Sequence, residues 1–173
     1  MNRIVTGVFM IVLAIAFFSC KDNDLEELRR QELRKLNEYI ENNYPDQEPT
    51  PSGLYFIELE EGTGDSIEVG DRVQFFYELW TLDTVKVAES GRYEPVQVIV
   101  SPPGQLGSSA QSVEDLLGLH EGLSYMREGG KARLILPSQL AFGQYGTYGV
   151  SRFTTLLMEV EVYKVYPAET PVE

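Results

Sequence analysis

The sequence has few of the residues on which most enzyme chemistry depends. Its 173 residues include one cysteine, one histidine and one tryptophan. A single cysteine cannot form an internal disulfide, and no group of cysteine, histidine and carboxylate side chains has the spacing of a metal site. The sequence also contains no nucleophile-elbow motif and no glycine-rich phosphate loop. We therefore expect neither a metal nor a cofactor.

Basic residues are also in short supply. The chain has 14 Lys and Arg against 27 Asp and Glu, a net charge of -13. Nucleic-acid binding needs clustered basic side chains that replace phosphate counterions, so we expect no nucleic-acid partner. Direct binding to an anionic lipid surface is disfavoured for the same reason. The acidic excess indicates a soluble, self-repelling surface on a chain long enough for one domain with its own core.

Long apolar runs are absent except at the N-terminus. Residues 4–18 form a 15-residue apolar run after the basic Arg3, shorter than the roughly 20 residues of a membrane-spanning helix. The run is typical of a signal peptide, and its end at Cys20 resembles the lipobox of bacterial lipoproteins. The resemblance implies removal of residues 1–19, acylation of Cys20 and lipid anchoring in the bacterial cell envelope, on the periplasmic or surface side of the outer membrane. An uncleaved anchor with an incidental cysteine is the alternative.

A helix is predicted next, over residues 24–43. Asp24 and Glu27 form a D-x-x-E capping pattern. Apolar residues then recur at helical spacing, namely Leu25, Leu28, Leu36, Tyr39 and Ile40. A proline-rich linker follows, so residues 20–52 are interpreted as the lipidated cysteine, a tether helix and a linker. The helix is either a solvated spacer or a docking or dimerising helix.

From Gly53 the pattern changes to β-strands. Strands are predicted from their β-forming residues and alternation at residues 54–60, 72–82, 96–100, 131–136 and 154–165. Ser112 and Asp115 can cap one short helix that carries Leu116 and Leu117. Many strands and a single short internal helix predict an antiparallel α+β domain.

Four segments, in order, resemble the motifs of FKBP-type peptidyl-prolyl isomerases. Residues 70–77 resemble the opening G-D-x-V-x-V-x-Y, and residues 118–126 the helix motif G-[WL]-x-x-[GA]-L-x-x-M. Residues 129–143 contain the longest match, from Gly-Gly-Lys-Ala to Ala-Phe-Gly, and residues 155–162 resemble the closing strand. The resemblance implies an antiparallel β-sheet curled around one short α-helix in a domain of residues 53–166. Residues 167–173 then form a C-terminal tail.

The resemblance also implies a set of site residues. The catalytic positions are Tyr77, Glu89 and Phe142, and the substrate-binding positions are Val96, Leu116, Leu119, Val150 and Met158. Several of these depart from the family pattern. Leu119 stands where tryptophan is common, and Phe142 replaces a tyrosine whose hydroxyl binds a substrate carbonyl. Glu89, in a segment Val87-Ala88-Glu89-Ser90, is the acid that could replace the family's aspartate.

Each of these residues also has a structural interpretation. Tyr77 and Phe142 could be ordinary core aromatics, and Glu89 a solvated loop acid. His120 is interpreted as a surface residue of the short helix rather than a catalyst. Trp80, which shares the strand face opposite Tyr77, is expected to pack under the N-terminal helix or the linker.

The predicted site suits a reaction that needs no nucleophile, metal or proton shuttle. Rotation about a peptide bond has a barrier of roughly 18–20 kcal/mol, and X-Pro bonds have the smallest cis/trans bias. The twisted transition state loses amide polarity, so an apolar pocket favours it over the planar ground state. The sequence thus predicts a weakened isomerase or folding helper whose partners are proline-containing exported polypeptides. A non-catalytic FKBP-like binding module of the cell envelope is the alternative.

Overall fold

The computed structural model describes residues 24–102 and 110–169, which form two α-helices, two 3-10 turns and one six-stranded sheet. The elements in chain order are α1 (residues 24–43), β1 (Tyr55–Glu60), β2 (Arg72–Thr81), β3 (Lys86–Glu89), β4 (Val96–Ile99), α2 (Leu117–Leu123), β5 (Lys131–Leu136) and β6 (Leu156–Tyr166). The predicted signal segment, Cys20 and the end of the predicted tail lie outside the described residues. Within the described ranges, neither helix combines the length and apolarity that crossing a membrane requires.

The sheet is antiparallel throughout. Its strand order is β1-β5-β6-β2-β3, and β4 also pairs with β2. β2 runs along β6 for its whole length, while its other edge pairs first with β4 and then with β3. Register shifts after Gln74 and after Leu79 interrupt these ladders, and such bulges bend a strand and increase its twist. The predicted α+β fold, a curled antiparallel sheet around a short helix, is confirmed.

The concave face of the sheet is covered by α2, which lies close to β5. A Cβ atom at Gly118 would stand 2.3 Å from Leu136 Cδ2, and one at Gly122 would stand 2.6 Å from Leu134 Cδ1. Glycine at these two helix positions lets the backbone of α2 approach the leucines. Leu134 and Leu136 therefore face the short helix.

The convex face is partly covered by α1. Leu36 and Ile40 of this helix form a second buried cluster with Ile135 of β5 and Leu157 of β6. The partly buried side chains around it are Tyr39, Tyr44, Tyr55, Ile57, Trp80 and Leu82. α1 therefore docks on its own domain and is not a solvated spacer. The prediction that Trp80 packs under the N-terminal helix is confirmed.

The segment before α2 differs from the predicted single helix. Ser112 N–H donates to Asp115 Oδ2 at 3.1 Å, as a capping pair does, but the pair caps the 3-10 turn Val113–Asp115. Leu116 then has an extended backbone, and α2 begins at Leu117. Because of this break, the fully buried Leu116 belongs to the core while the capping residues remain exposed.

Candidate active site

Seven of the eight predicted catalytic and substrate-binding residues lie in the main hydrophobic core of the domain, the apolar cluster on the concave face, and they divide into buried and partly buried positions. The buried members are Leu116, Leu119, Phe142, Val150 and Met158, and the partly buried members are Tyr77 and Val96. They come from three strands, from α2 and the residue before it, and from the segment between β5 and β6. The fold thus brings together residues that are separated by up to 81 positions in the sequence.

Tyr77 reaches the cluster because side chains alternate along β2. Val73, Phe75 and Leu79 on the same face are fully buried, whereas Tyr77 is only partly so. The ring centroids of Phe75 and Tyr77 are 6.1 Å apart. Ser90 fixes the strand at this point, since Tyr77 N–H donates to Ser90 Oγ at 3.0 Å and Ser90 N–H donates to the Tyr77 carbonyl at 3.0 Å.

The Tyr77 phenol stays protonated at neutral pH. Burial raises its pKa above 10, and the carboxylate of Glu114 raises that pKa further. A protonated phenol can donate a hydrogen bond to a carbonyl oxygen. Glu114 is therefore the acidic side chain whose charge acts on the site's tyrosine, a residue that the motifs did not single out.

Phe142 is held by a tight turn after β5. The Ser138 carbonyl accepts hydrogen bonds from Ala141 N–H at 2.9 Å and from Gly143 N–H at 2.8 Å. The Phe142 carbonyl accepts from Gly146 N–H at 3.1 Å. Gly146 has a φ of +67°, and a Cβ there would lie 2.3 Å from the Val150 carbonyl oxygen. The turn buries the Phe142 ring, which has no hydroxyl to offer a substrate.

The walls of the cluster follow from the strand registers. Met158 of β6 stands opposite Leu134 of β5 and opposite Leu79 of β2. Val96 of β4 stands opposite Phe75. Directly opposite residues in a sheet share a face, so these side chains are directed to the concave side. The predicted wall positions Val96 and Met158 therefore present an aliphatic and a thioether side chain.

Glu89 is the predicted catalytic residue that the structure does not bring to the cluster. It stands opposite Glu78, and Lys86 Nζ lies 2.7 Å from Glu89 Oε2 and 3.0 Å from Glu78 Oε2. The same Lys86 nitrogen is 5.7 Å from the centre of the Trp80 ring on the convex side. We therefore correct the expectation, because the position that faces the cluster is Ala88, opposite the buried Leu79.

His120 is buried rather than exposed, contrary to the sequence interpretation. It is 5% exposed, and its Nδ1 accepts a hydrogen bond from Ser101 N–H at 3.1 Å. Its Nε2 lies 2.7 Å from the Glu114 carbonyl oxygen, so the ring is neutral with its proton on Nε2. Burial lowers the pKa of His120. The residue ties the segment after β4, the 3-10 turn and α2 together and takes no part in the cluster.

The site therefore consists of a packed apolar core with the partly buried Tyr77 phenol at its edge. In the part of the chain that the structure describes, no three His, Cys, Asp or Glu side chains are placed to hold a metal ion. An apolar surface beside a phenol can bind an apolar ring and donate a hydrogen bond to one carbonyl. Apolar surroundings also favour the twisted, less polar form of an amide over its planar form.

Comparison with known proteins identifies the relatives of this chain. A family model described as FKBP-type peptidyl-prolyl cis-trans isomerase matches residues 64–163. The FK506-binding protein of Neisseria meningitidis serogroup B is 33% identical over 116 residues, which are 66% of this chain and 97% of that protein. The isomerase FkpA of Escherichia coli K12 is 29% identical over 118 residues, 68% of this chain and 39% of that protein.

Solved structures agree with these sequence matches. The crystal structure of FkpA from Escherichia coli matches with a TM-score of 0.68 and 26% identity, over 86% of this chain and 65% of that one. A peptidyl-prolyl cis-trans isomerase from Pseudomonas syringae shares the fold, with a TM-score of 0.64 at 24% identity over 82% of this chain and 96% of that one. By motifs, fold and relatives, this chain belongs to the FKBP-type peptidyl-prolyl cis-trans isomerase family.

Proposed function

We propose that this chain catalyses the cis-trans isomerisation of X-Pro bonds in exported polypeptides. One observation carries the proposal: seven of the eight predicted positions lie together in one hydrophobic core, with the partly buried Tyr77 at its edge. The family supplies the reaction class. The geometry supplies a means of performing it without a nucleophile, a metal or a proton transfer.

The proposed mechanism uses desolvation and one hydrogen bond. The proline ring packs against the partly buried Tyr77 and Val96 at the edge of the apolar cluster and leaves water behind. Rotation about the X-Pro bond breaks amide resonance and lowers the polarity of the carbonyl group, a change that apolar surroundings favour. Tyr77 O–H donates to a backbone carbonyl of the bound peptide and fixes its orientation as the bond rotates.

We further propose that the catalytic efficiency is low for this family. Phe142 cannot hydrogen-bond a substrate carbonyl, and the buried Leu119 provides less apolar area than an indole would. Glu89 forms its ion pair with Lys86 on the far side of the sheet. Each departure removes a substrate contact that the family motif supplies.

The second candidate function is a binding module that holds proline-containing segments without isomerising them. The absence of a carboxylate at Ala88 and of a hydroxyl at Phe142 favours it, because binding a proline ring needs only the apolar cluster. Both candidates predict affinity for X-Pro peptides. Only the isomerase predicts a faster exchange between the cis and trans forms.

A protease-coupled assay on the chain from Lys21 to Glu173 separates the two candidates. A short Ala-X-Pro-Phe peptide is cleaved in its trans form only, so the slow phase reports isomerisation. We expect the wild type to accelerate this phase and Tyr77→Ala to abolish most of the acceleration. Tyr163→Ala is the matched control, since Tyr163 is an exposed tyrosine on the convex face, against Phe76. Circular dichroism verifies that each variant is folded.

The location of the protein is a further part of the proposal. We infer a lipid-anchored protein of the bacterial cell envelope, attached through Cys20 to the outer membrane and facing the periplasm or the surface. The signal-like run at residues 4–18 and the position of Cys20 after it support this inference. An anchored isomerase would act on polypeptides that fold after export.

A further inference from the structure

A buried carboxylate joins α1 to the segments that build the site. Glu32 is 4% exposed and accepts hydrogen bonds from Ser138 N–H at 2.6 Å, Ser138 O–H at 2.8 Å and Thr155 O–H at 3.0 Å. Arg29 Nη1 lies 2.6 Å from Glu32 Oε2 and balances its charge. Among the described residues, the polar partners of this carboxylate outside α1 are Ser138 and Thr155.

Docking α1 does not require this carboxylate. Leu36 and Ile40 already attach the helix to Ile135 and Leu157 through apolar contact. Burying a charged group costs free energy unless its hydrogen bonds are complete, and an apolar side chain of similar volume often stabilises as well or better. The four donors around Glu32 meet that requirement, and they also fix the groups that donate.

The first of these groups anchors the turn that holds Phe142. Ser138 donates to Glu32 through both its N–H and its hydroxyl. The Ser138 carbonyl in turn accepts from Ala141 N–H and Gly143 N–H, the residues on either side of Phe142. Displacing Ser138 would therefore displace the Phe142 ring.

The second group lies where the chain enters β6. Thr155 is buried and immediately precedes Leu156, the first residue of β6. Met158, three residues after Thr155, contributes to the cluster. Glu32 thus holds the two chain segments that deliver Phe142 and Met158, one through Ser138 and the other through Thr155.

We propose that Glu32 is a positioning residue of the isomerase site and acts through Ser138 on Phe142. Helix α1 is then part of the catalytic unit, because the Glu32 carboxylate fixes the position of the Phe142 ring through Ser138. The consequence for catalysis rests on the proposed function, whereas the consequence for the turn does not. The test therefore measures both.

The experiment compares Glu32→Gln with Glu38→Gln in the chain from Lys21 to Glu173. Glu38 is exposed on the same helix, so its variant makes the same change of charge without touching the turn. Amide hydrogen exchange is followed at Gly143, which donates to Ser138, and at Val162 of β6, which donates to the Gly130 carbonyl. The same samples are assayed for isomerisation.

We expect Glu32→Gln to accelerate Gly143 exchange about tenfold relative to Val162, the effect of losing a charge-assisted hydrogen bond. We expect kcat/KM to fall about three- to tenfold through the misplaced ring, and Glu38→Gln to change neither. Ser138→Ala keeps the backbone N–H donor and should change both quantities in the same direction by less. It replaces Glu32→Gln if that variant does not fold.

The outcomes distinguish this inference from the proposed function. If the wild type shows no isomerase activity but Gly143 exchange responds selectively, the proposed function fails and the positioning of the turn stands. Equal acceleration at Gly143 and Val162 would mean a loss of global stability and would overturn the inference. An active wild type whose folded variants show unchanged exchange and kcat/KM would overturn it as well.

Discussion

At the scale of single residues, Phe142 marks the clearest chemical difference from the family motif. Its ring is buried in the cluster, and its backbone is fixed by the turn from Ser138 to Gly146. Phe142→Tyr adds a hydroxyl that can bind a substrate carbonyl, and a neutral hydrogen bond contributes roughly 0.5–1.5 kcal/mol. We expect kcat/KM for an X-Pro peptide to rise by about two- to tenfold, since 1.36 kcal/mol is a factor of ten.

A matched variant shows whether that gain arises in the site. Phe76→Tyr adds the same hydroxyl on the convex face, where Phe76 packs edge-on against Tyr163. This control should leave kcat/KM unchanged. An unchanged kcat/KM for a correctly folded Phe142→Tyr would show that no substrate carbonyl comes within reach of position 142.

The single histidine gives the stability of the fold a defined pH dependence. Burial lowers the pKa of His120 below its usual 6.5, against smaller opposing effects of its bond to the Glu114 carbonyl and of Asp115. The folded protein therefore keeps the ring neutral where the unfolded chain already binds a proton. The resulting stability is complete above pH 6.5 and is lost as the pH falls from 6.5 toward the lowered pKa.

An NMR titration measures this pKa directly. In a chain without a histidine tag, the one histidine gives a single Cε1–H signal to follow against pH. We expect a midpoint below 6.5 and a smaller pH dependence of urea unfolding in His120→Gln. A midpoint at or above 6.5 would mean that the ring is charged or solvated in the folded state.

At the scale of secondary-structure elements, the packing of α2 on β5 is the contact most sensitive to side-chain volume. Leu136 is fully buried, and its Cδ2 atom lies 2.3 Å from the position that a Cβ of Gly118 would take. Leu136→Ala leaves a cavity beneath the helix and should lower the free energy of unfolding by about 2–5 kcal/mol.

Denaturant unfolding tests this cost against an exposed leucine. Leu59→Ala in β1 makes the same chemical change at a side chain that is 44% exposed, so its effect should stay within about 0.5 kcal/mol. Equal unfolding midpoints for Leu136→Ala and the wild type would place Leu136 outside the core.

The elements also show how far sequence patterns determine this structure. Alternation along β2 predicted the inward side chains, including Tyr77, because one face of that strand is buried along its length. Alternation fails at Ile135, since α1 covers β5 on its other face and buries that side chain too. The side of the sheet on which Glu89 lies depends on a bulge at Val87, because the bulge changes which side chains of β3 face the cluster. A bulge of this kind leaves no mark in hydrophobic periodicity.

Tertiary contacts explain the remaining differences. His120 is polar and sits in a short helix, which indicates a surface position, yet its ring completes hydrogen bonds to two separate backbone segments. Glu32 is one of several glutamates in α1, but it lies four residues from both Leu28 and Leu36, on the apolar face of the helix, whereas Glu38 does not. Only the position of Ser138 in the folded chain gives it a role.

At the scale of the whole molecule, the sheet lies between two helices with different tasks. α2 closes the apolar cluster, and α1 covers the convex face while it connects the domain to the segment that contains Cys20. Docking of α1 would hold the domain close to an N-terminal anchor. The acidic excess of the chain, a net charge of -13 over all 173 residues, would repel an anionic membrane surface.

The proposed anchor predicts a simple fractionation result. Cys20→Ser removes the thiol that lipid would occupy and should yield an unlipidated precursor that extraction releases from membrane pellets. Lys21→Ser is the neighbouring control and should stay in the pellet. Mass spectrometry of the wild type that found a free thiol and an intact segment of residues 1–19 would contradict the anchor.

The central claim is that the apolar cluster beside Tyr77 accelerates rotation about X-Pro bonds. Two-dimensional NMR exchange on an X-Pro peptide, with the chain from Lys21 to Glu173 added at a small fraction of the peptide concentration, observes that rotation without any coupled reaction. Uncatalysed exchange takes tens to hundreds of seconds, so its cross-peaks are absent at sub-second mixing times. The account predicts cis-trans cross-peaks with the wild type and with Tyr163→Ala, and their loss with folded Tyr77→Ala. Wild-type spectra with no cross-peaks, at concentrations where the peptide is shown to bind, would contradict the claim and leave a binding module.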